Sequence, residues 1–224
     1  LTSVPESLPA VHTDVVIFTL QEEQLDVLLV QRRHAPYAGH WALPGGFVHV
    51  EESLETAARR VLAEQTGTQN LYLEQLYTFG EPQRDPRARI ITVAYFALVS
   101  ADRVNSTLPT ATPIAWHPAY EPPPLAFDHG EIVNYALQRL RYKLEYTAAA
   151  FQLLPDRFTL SELQAAYEGI LRERLDKRNF RRKLLATSIL EETDEFRTGD
   201  HRPARLYTFR DEAKFEGQAR RLFP

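Results

Sequence analysis

The chain has 224 residues, 44% hydrophobic and 25% charged, which describes a globular protein of one large domain or two small ones. It contains no cysteine, so disulfides, thiol nucleophiles and thiolate metal sites are excluded and a reducing, cytoplasmic setting is expected. The net charge of −4 hides an asymmetry: residues 1–150 carry 11 basic and 17 acidic side chains, residues 151–224 carry 15 and 13.

The opening LTSVPESLPAVHTDVV has no basic region leading into an apolar core, so no signal peptide is expected. No run of 18 apolar residues follows, so no membrane partner is expected either. Residues 15–20 and 27–31 read as two apolar strands joined by the polar QEEQ turn. PYAGHWALPGG is rich in turn formers and leads into a helix in which Leu54, Ala57, Ala58, Val61 and Leu62 share one face. Gly67 ends that helix. Residues 71–79 and 90–99 read as strands flanking the charged loop GEPQRDPRAR, and IAWHPAYEPPPLAFDHG as a Pro-rich connection. Helical periodicity returns over residues 130–146 with Ile132, Val133, Ala136, Leu137, Leu140 and Leu144 on one face. Alternating strands and helices predict an α/β sandwich over residues 1–148.

Residues 149–224 predict a different unit, joined through a hinge at 151–158. Thr159 and Glu162 form a capping-box pair opening a helix to about Leu171. Asp176 can cap a second helix, with Phe180, Leu184 and Leu185 inward. ILEET and ARLYTF bracket the polar DEFRTGDHRP as a β-hairpin would. Two short helices and a hairpin match the winged helix-turn-helix plan, whose second helix enters the DNA major groove. Within it, residues 172–183 (RERLDKRNFRRK) hold seven basic and two acidic side chains, the pattern of a local polyanion contact or of a solvated helix face.

The stretch GGFVHVEESLETAARRVLAEQTG, residues 45–67, carries the chemistry. From Gly46 onward, Glu52, Arg60, Glu64 and Gly67 keep the spacing of GX5EX7REUXEEXGU, and the stretch resembles the Nudix box, with WALPGGF before it as in that family. The resemblance implies a mixed sheet between helices. It also implies a diphosphate site in which Gly45 and Gly46 let the backbone approach the phosphates. Carboxylates at i, i+3 and i+4 of the helix would hold Mg2+ or Mn2+ there. Here those positions are Val61, Glu64 and Gln65, so one charged ligand of three remains, with Glu51 or Glu131 as substitutes. Weak Mg2+ binding at most, and no required cofactor, is expected. Taken singly, Val61 reads equally as core and the Arg60–Glu64 spacing as an ion pair.

FGEPQRDPRAR and AFDHGEI resemble the Nudix subgroup that handles ADP-ribose, which makes Arg33, Arg84, Arg87 and Arg89 candidates for phosphate or ribose contacts. Phe79, Tyr95 or Trp41 is a candidate for stacking on adenine. FTLSELQAAYEGILRERLDKRNFRRKLL followed by RPARLYTF resembles the C-terminal domain of the Nudix-related transcriptional regulators, the NrtR family. That resemblance implies a homodimeric repressor of NAD-metabolism genes that binds palindromic operators and releases them on binding ADP-ribose or a related nucleotide. Lys177, Arg178, Asn179, Arg181, Arg182 and Lys183 are then DNA candidates on the helix, and Arg202 and Arg205 on the hairpin. Two alternatives stand beside it: a working Mg-dependent ADP-ribose pyrophosphatase whose tail only dimerises, and a regulator of sugar catabolism.

Overall fold

The computed structural model describes residues 8–67, 71–103, 113–146, 149–187, 189–198 and 203–210. A seven-stranded mixed sheet organises the first half. Its central strand, β1 (Ala10–Gln21), runs parallel to a late strand (Ile90–Leu98) and antiparallel to β2 (Gln24–Gln31). Two short strands, β3 (Trp41–Ala42) and β4 (Gly45–Phe47), pair with β2 and β1 respectively. The edge strand β5 (Tyr72–Phe79) lies antiparallel to the late strand, which is β6. β7 (Ile114–Pro118) pairs with β2.

Side chains of β1 alternate between two cores, as strand geometry requires. Val15 and Ile17 pack with Ala58, Val61 and Leu62 of α1 (Leu54–Thr66). Val16 and Phe18 pack on the opposite face with Ile132, Val133, Ala136, Leu137 and Leu140 of α2 (His129–Tyr146). This is the expected sandwich. α1 starts where the Ser53 hydroxyl accepts from the Thr56 N–H at 3.1 Å and stops at Gly67, whose φ of 67° is costly for other residues.

The second half begins with a 3-10 turn, Ala149–Leu153. α3 (Leu160–Leu171) carries the expected capping box: Glu162 N–H donates to Thr159 Oγ1 at 3.2 Å, and Thr159 N–H to Glu162 Oε2 at 2.7 Å. α4 (Lys177–Leu185) is capped by Asp176, and a hairpin of β8 (Leu190–Arg197) and β9 (Ala204–Phe209) closes the unit. Among the described residues, no helix is long and apolar enough to cross a membrane.

Four sequence expectations need correction. Leu185, expected inward, is exposed, while Phe180 and Leu184 are buried. Residues 114–118, expected as connection, form β7; a five-residue strand ending on Pro118 lacks the length for a clear periodic signal. β8 continues to Arg197, into the segment expected as turn. A register shift between Glu192 and Phe196 keeps it paired, and its mostly exposed side chains give no apolar alternation. Residues 151–158, expected as a hinge, instead bury Phe151, Leu153, Leu154 and Phe158 in a core shared by both halves.

The joint between the halves is close-packed. A Cβ on Gly169 of α3 would sit 2.7 Å from the Glu23 carbonyl oxygen and 3.1 Å from Leu20 Cδ1, so only glycine lets α3 lie against the β1–β2 turn. The Tyr120 hydroxyl donates to the Ile170 carbonyl, Arg172 pairs with Glu121 at 3.3 Å, and Arg172 also lies over the Tyr120 ring at 5.2 Å.

Candidate functional site

The Nudix-like box keeps its shape through one ion pair. Arg60 on α1 donates to both oxygens of Glu52, at 2.6 and 3.2 Å, and to the Phe47 carbonyl at 3.1 Å. The His49 N–H also donates to Glu52, at 2.8 Å. The Arg60 hydrogen bonds, with that from His49, hold the Glu52 carboxyl down to about 2. The loop between β4 and α1 is thus pinned by two residues of the box, Glu52 and Arg60.

The metal positions are different. Val61 is 2% exposed and sits in the apolar cluster under α1. Gln65 Oε1 is buried without a hydrogen bond among the described residues. Glu64 is exposed, 3.6 Å from Arg60. Glu51 and Glu131 are also exposed, and no group of three or more His, Cys, Asp or Glu able to hold a metal ion occurs among the described residues. A hard divalent cation draws its affinity from carboxylate charge, so these residues do not fit a Nudix metal cluster.

A polar cavity of about 130 Å3 opens at the N-terminal half of β1. Asp14 lies at its base, 1% exposed. His12 Nδ1, Arg84 Nη2 and His129 Nε2 approach Asp14 at 3.3, 3.6 and 3.7 Å, but none makes a directed hydrogen bond to it. Burial pushes the Asp14 carboxyl up; the facing His129 and His12 outweigh that and hold it below the usual carboxylate range. The Leu43 N–H donates to His129 Nδ1 at 2.8 Å, which places the ring proton on Nε2, toward Asp14. Burial pushes His129 down, against the opposing pull of Asp14 and Asp128.

Three arginines supply the positive wall. Arg84, 4% exposed, grips Asp128 with two bonds of 2.8 and 2.6 Å. Arg87 grips Asp85 in the same forked way, at 3.0 and 2.6 Å. The guanidinium of Arg32 lies 4.6 Å and that of Arg87 5.5 Å from the Phe127 ring centre. Phe127 has φ of 55°, a strained conformation for a bulky residue and one that clusters at binding sites.

Of the residues the sequence put forward for a ligand, Gly45, Arg84 and Arg87 line this cavity. Gly46 lies beside it in β4, packed toward Val61 and Arg60. Arg33, Arg89 and Glu131 are exposed and outside the lining, and Arg32 takes the place expected for Arg33. The aromatic candidates face elsewhere: Tyr95 is buried under α1, Trp41 packs on His117 at 4.6 Å, and Phe79 packs with Tyr77 and Tyr135. Sequence reasoning missed His12, Asp14, Arg32, Phe127 and His129. The AFDHGEI segment was a signal for two of these; the other three fall in or beside strands whose apolar runs mask them.

The second constellation is on α4. Lys177, Arg178, Asn179 and Arg182 are exposed, and Phe180 and Leu184 anchor the helix beneath them. Asn179 N–H donates to the Asp176 cap at 2.8 Å, Arg182 to Asn179 Oδ1 at 2.9 Å, and Arg181 to Ser161 at 3.0 Å. Lys183 is half-buried and turns toward α2. A groove of about 860 Å3 between α4 and the hairpin is lined by Lys177, Arg181, Arg197 and Arg205. Arg205 also pairs with Glu192 at 3.2 Å and covers the Phe196 ring. Arg202 lies outside the described residues.

The NUDIX domain family matches residues 10–136, and the family described as the NrtR DNA-binding winged helix domain matches residues 150–209. The chain is 40% identical over 205 residues to the ADPR responsive transcriptional repressor NtrR of Acinetobacter baylyi, covering 90% of this chain and 82% of that protein. Its fold is similar to that of Shewanella oneidensis NrtR, solved in complex with a 27mer DNA, with 38% identity and a TM-score of 0.81 over 89% of this chain and 93% of the other. It is also similar to the NUDIX domain of that protein solved with ADP ribose, with 39% identity and a TM-score of 0.53 over 60% of this chain and 90% of the other. A sandwich with a metal-poor box, a basic second helix on a winged unit, and matches spanning both halves lead to one assignment: the chain belongs to the NrtR family of Nudix-related transcriptional regulators.

Proposed function

We propose that this protein is a cytoplasmic transcriptional repressor of NAD-metabolism genes that binds a palindromic operator as a homodimer and releases it when ADP-ribose occupies the cavity on β1. The observation that carries the reading is the pairing, in one chain, of a polar cavity walled by arginines with a box short of metal ligands. Such a site can take one polar end of a nucleoside diphosphate sugar, the rest of the ligand lying outside the enclosed volume of about 130 Å3, without the charge that hydrolysis needs.

On the DNA side, exposed Arg178, Asn179 and Arg182 stand where a recognition helix meets base edges: Arg suits guanine O6/N7 and Asn suits adenine N6/N7. Lys177 and Arg181 line the groove toward the hairpin and suit phosphates. One winged helix grips one half-site, so a dimer supplies useful affinity and a palindrome mirrors its symmetry. β1 connects the two functions: His12 and Asp14 at its start line the cavity, and Leu20 at its end packs on Gly169 of α3. Ligand binding that shifts β1 therefore bears on the seat of the winged unit. A coupling of about 1–3 kcal/mol is the usual size for such a switch.

The test is operator binding at fixed salt with and without ADP-ribose, using palindromic DNA from upstream of NAD-metabolism genes. Tight binding relieved by ADP-ribose supports the reading. No binding, with ADP-ribose consumed when Mg2+ is present, replaces it with a hydrolase.

A further inference from the structure

We propose that the face of α2 bearing Tyr135 and Tyr142, with Tyr77 of the edge strand β5 beside it, is the surface on which two copies of this chain pair about a two-fold axis. The inference rests on the homodimer reading above and gives it a location.

β5 is the outer strand of the sheet and pairs with β6 alone among the described residues. A register shift between Gln75 and Tyr77 interrupts that pairing. Such an irregularity blunts an edge against the addition of another strand, so what this edge offers a partner is side chains. Tyr77 stacks on Tyr135 of α2 with ring centres 5.2 Å apart, and Phe79 meets both rings edge-on, at 5.5 and 6.1 Å. Tyr142 lies two turns further along the same face of α2. Tyr77, Tyr135 and Tyr142 are 53, 37 and 60% exposed. An aromatic side chain carries about 150–250 Å2, so these three leave roughly 300 Å2 of one stripe uncovered. That is over a third of the ~800 Å2 that each partner commits to a standard interface. Tyrosine is also the residue that fills such surfaces at low cost in conformational entropy.

Three features select a second copy as the occupant. Tyr135 and Tyr142 are evenly placed about a point between Gln138 and Arg139, both exposed. Two α2 helices crossing antiparallel at that point set Tyr135 of each copy against Tyr142 of the other, the self-complementarity that a two-fold contact requires. Second, the flank carries no block of like charge to repel its own copy, because Glu74 takes Lys143 at 2.6 Å and Arg139 at 3.5 Å. Third, α2 begins at His129 in the wall of the β1 cavity, and near its end Tyr142 lines a cleft with Asn179 and Lys183 of α4. A contact along α2 therefore lies between the effector site and the DNA-reading helix. There it sets the spacing between two copies of α4, the distance a palindrome measures.

The chain lacks cysteine, so a single introduced thiol reports on contact. Gln138→Cys stands beside the axis, within the 8–10 Å that separates packed helices, and a short bis-maleimide links two copies of the full-length protein through it. Glu55→Cys, exposed on α1 across the sheet, gives no such product. In sedimentation velocity the wild type is a dimer. Tyr135→Arg with Tyr142→Arg raises its dissociation constant by about a hundred-fold or more, the loss expected for two central tyrosine anchors, with an unchanged circular dichroism spectrum. A dimer that survives this pair of substitutions, or that links no better through Gln138→Cys than through Glu55→Cys, overturns the surface and leaves the homodimer standing. Should the double arginine variant not fold, the linkage through Gln138→Cys decides alone. A wild type that stays monomeric at all concentrations, with operator and without, removes the homodimer reading and this surface with it.

Discussion

Replacing Gly169 by alanine is the sharpest test of how the two halves communicate. The added Cβ would meet the Glu23 carbonyl oxygen at 2.7 Å and Leu20 Cδ1 at 3.1 Å. A carbon–oxygen approach is ordinarily no closer than about 3.3 Å, so α3 and the turn must part by roughly 0.6 Å. The obstacle is backbone, in a turn where Glu22 and Glu23 already have φ of 46° and 68°, so it does not swing aside like a side chain. Two effects oppose each other. Alanine favours the helix by about 1 kcal/mol over glycine, and overpacking costs about 1–3 kcal/mol. The net is a loss of up to about 2 kcal/mol, or a Tm lower by up to about 8 °C for a chain of this size.

The more telling readout is coupling. If β1 carries the signal from the cavity to α3, Gly169→Ala reduces the ratio of operator affinities without and with ADP-ribose by about five-fold or more, the lower end of a typical coupling energy. ADP-ribose affinity in the absence of DNA stays near wild type, since the cavity lies at the other end of the strand. Fluorescence anisotropy on labelled operator at fixed salt, beside a thermal melt, measures both. A Tm that rises, as at an exposed helical glycine, together with an unchanged affinity ratio, would refute the argument.

Other expectations follow from the same geometry. Arg181→Ala with Arg182→Ala weakens operator binding and lowers the slope of log affinity against log salt by up to about two, with an unchanged melt; an unchanged slope and affinity would remove α4 from the DNA. His129 is held below its ordinary value of about 6.5, chiefly by burial and despite Asp14 and Asp128. Below that value the unfolded chain binds a proton that the folded one refuses, so stability is full above pH 6.5 and falls as pH drops toward 5. His129→Asn flattens that part of a Tm–pH profile, and an equally steep profile in the variant would assign the loss to other groups. Val61→Glu with Gln65→Glu restores two carboxylates to the box and raises Mg2+ affinity by titration. It also lowers Tm, because Val61 is 2% exposed in an apolar cluster; a folded double variant without gain in metal affinity contradicts the account of the box.

The contrast between α4 and the cavity shows what the sequence makes legible. α4 is local: Asp176, Phe180 and Leu184 fall at helical spacing, so cap, anchors and solvent face can be read within ten residues. The box is equally local, and Arg60 meets Glu52 eight positions away, across the short loop and the first two turns of α1. The cavity is not local. Asp14 meets Arg84 and His129 across 70 and more residues, through the pairing of β1 and the start of α2. Asp14 was hidden by its strand, since it lies beside the run of apolar residues that any reading assigns to the core. A charged residue at a central strand is the costly exception there, tolerated when it is paired or put to use. The arginines misled in a related way: 32 and 33 are adjacent and chemically identical, and only the chain's turn after β2 decides which one faces Phe127. A sequence names the kinds of group a diphosphate sugar needs, while the long-range register of the sheet selects which copies of them reach it.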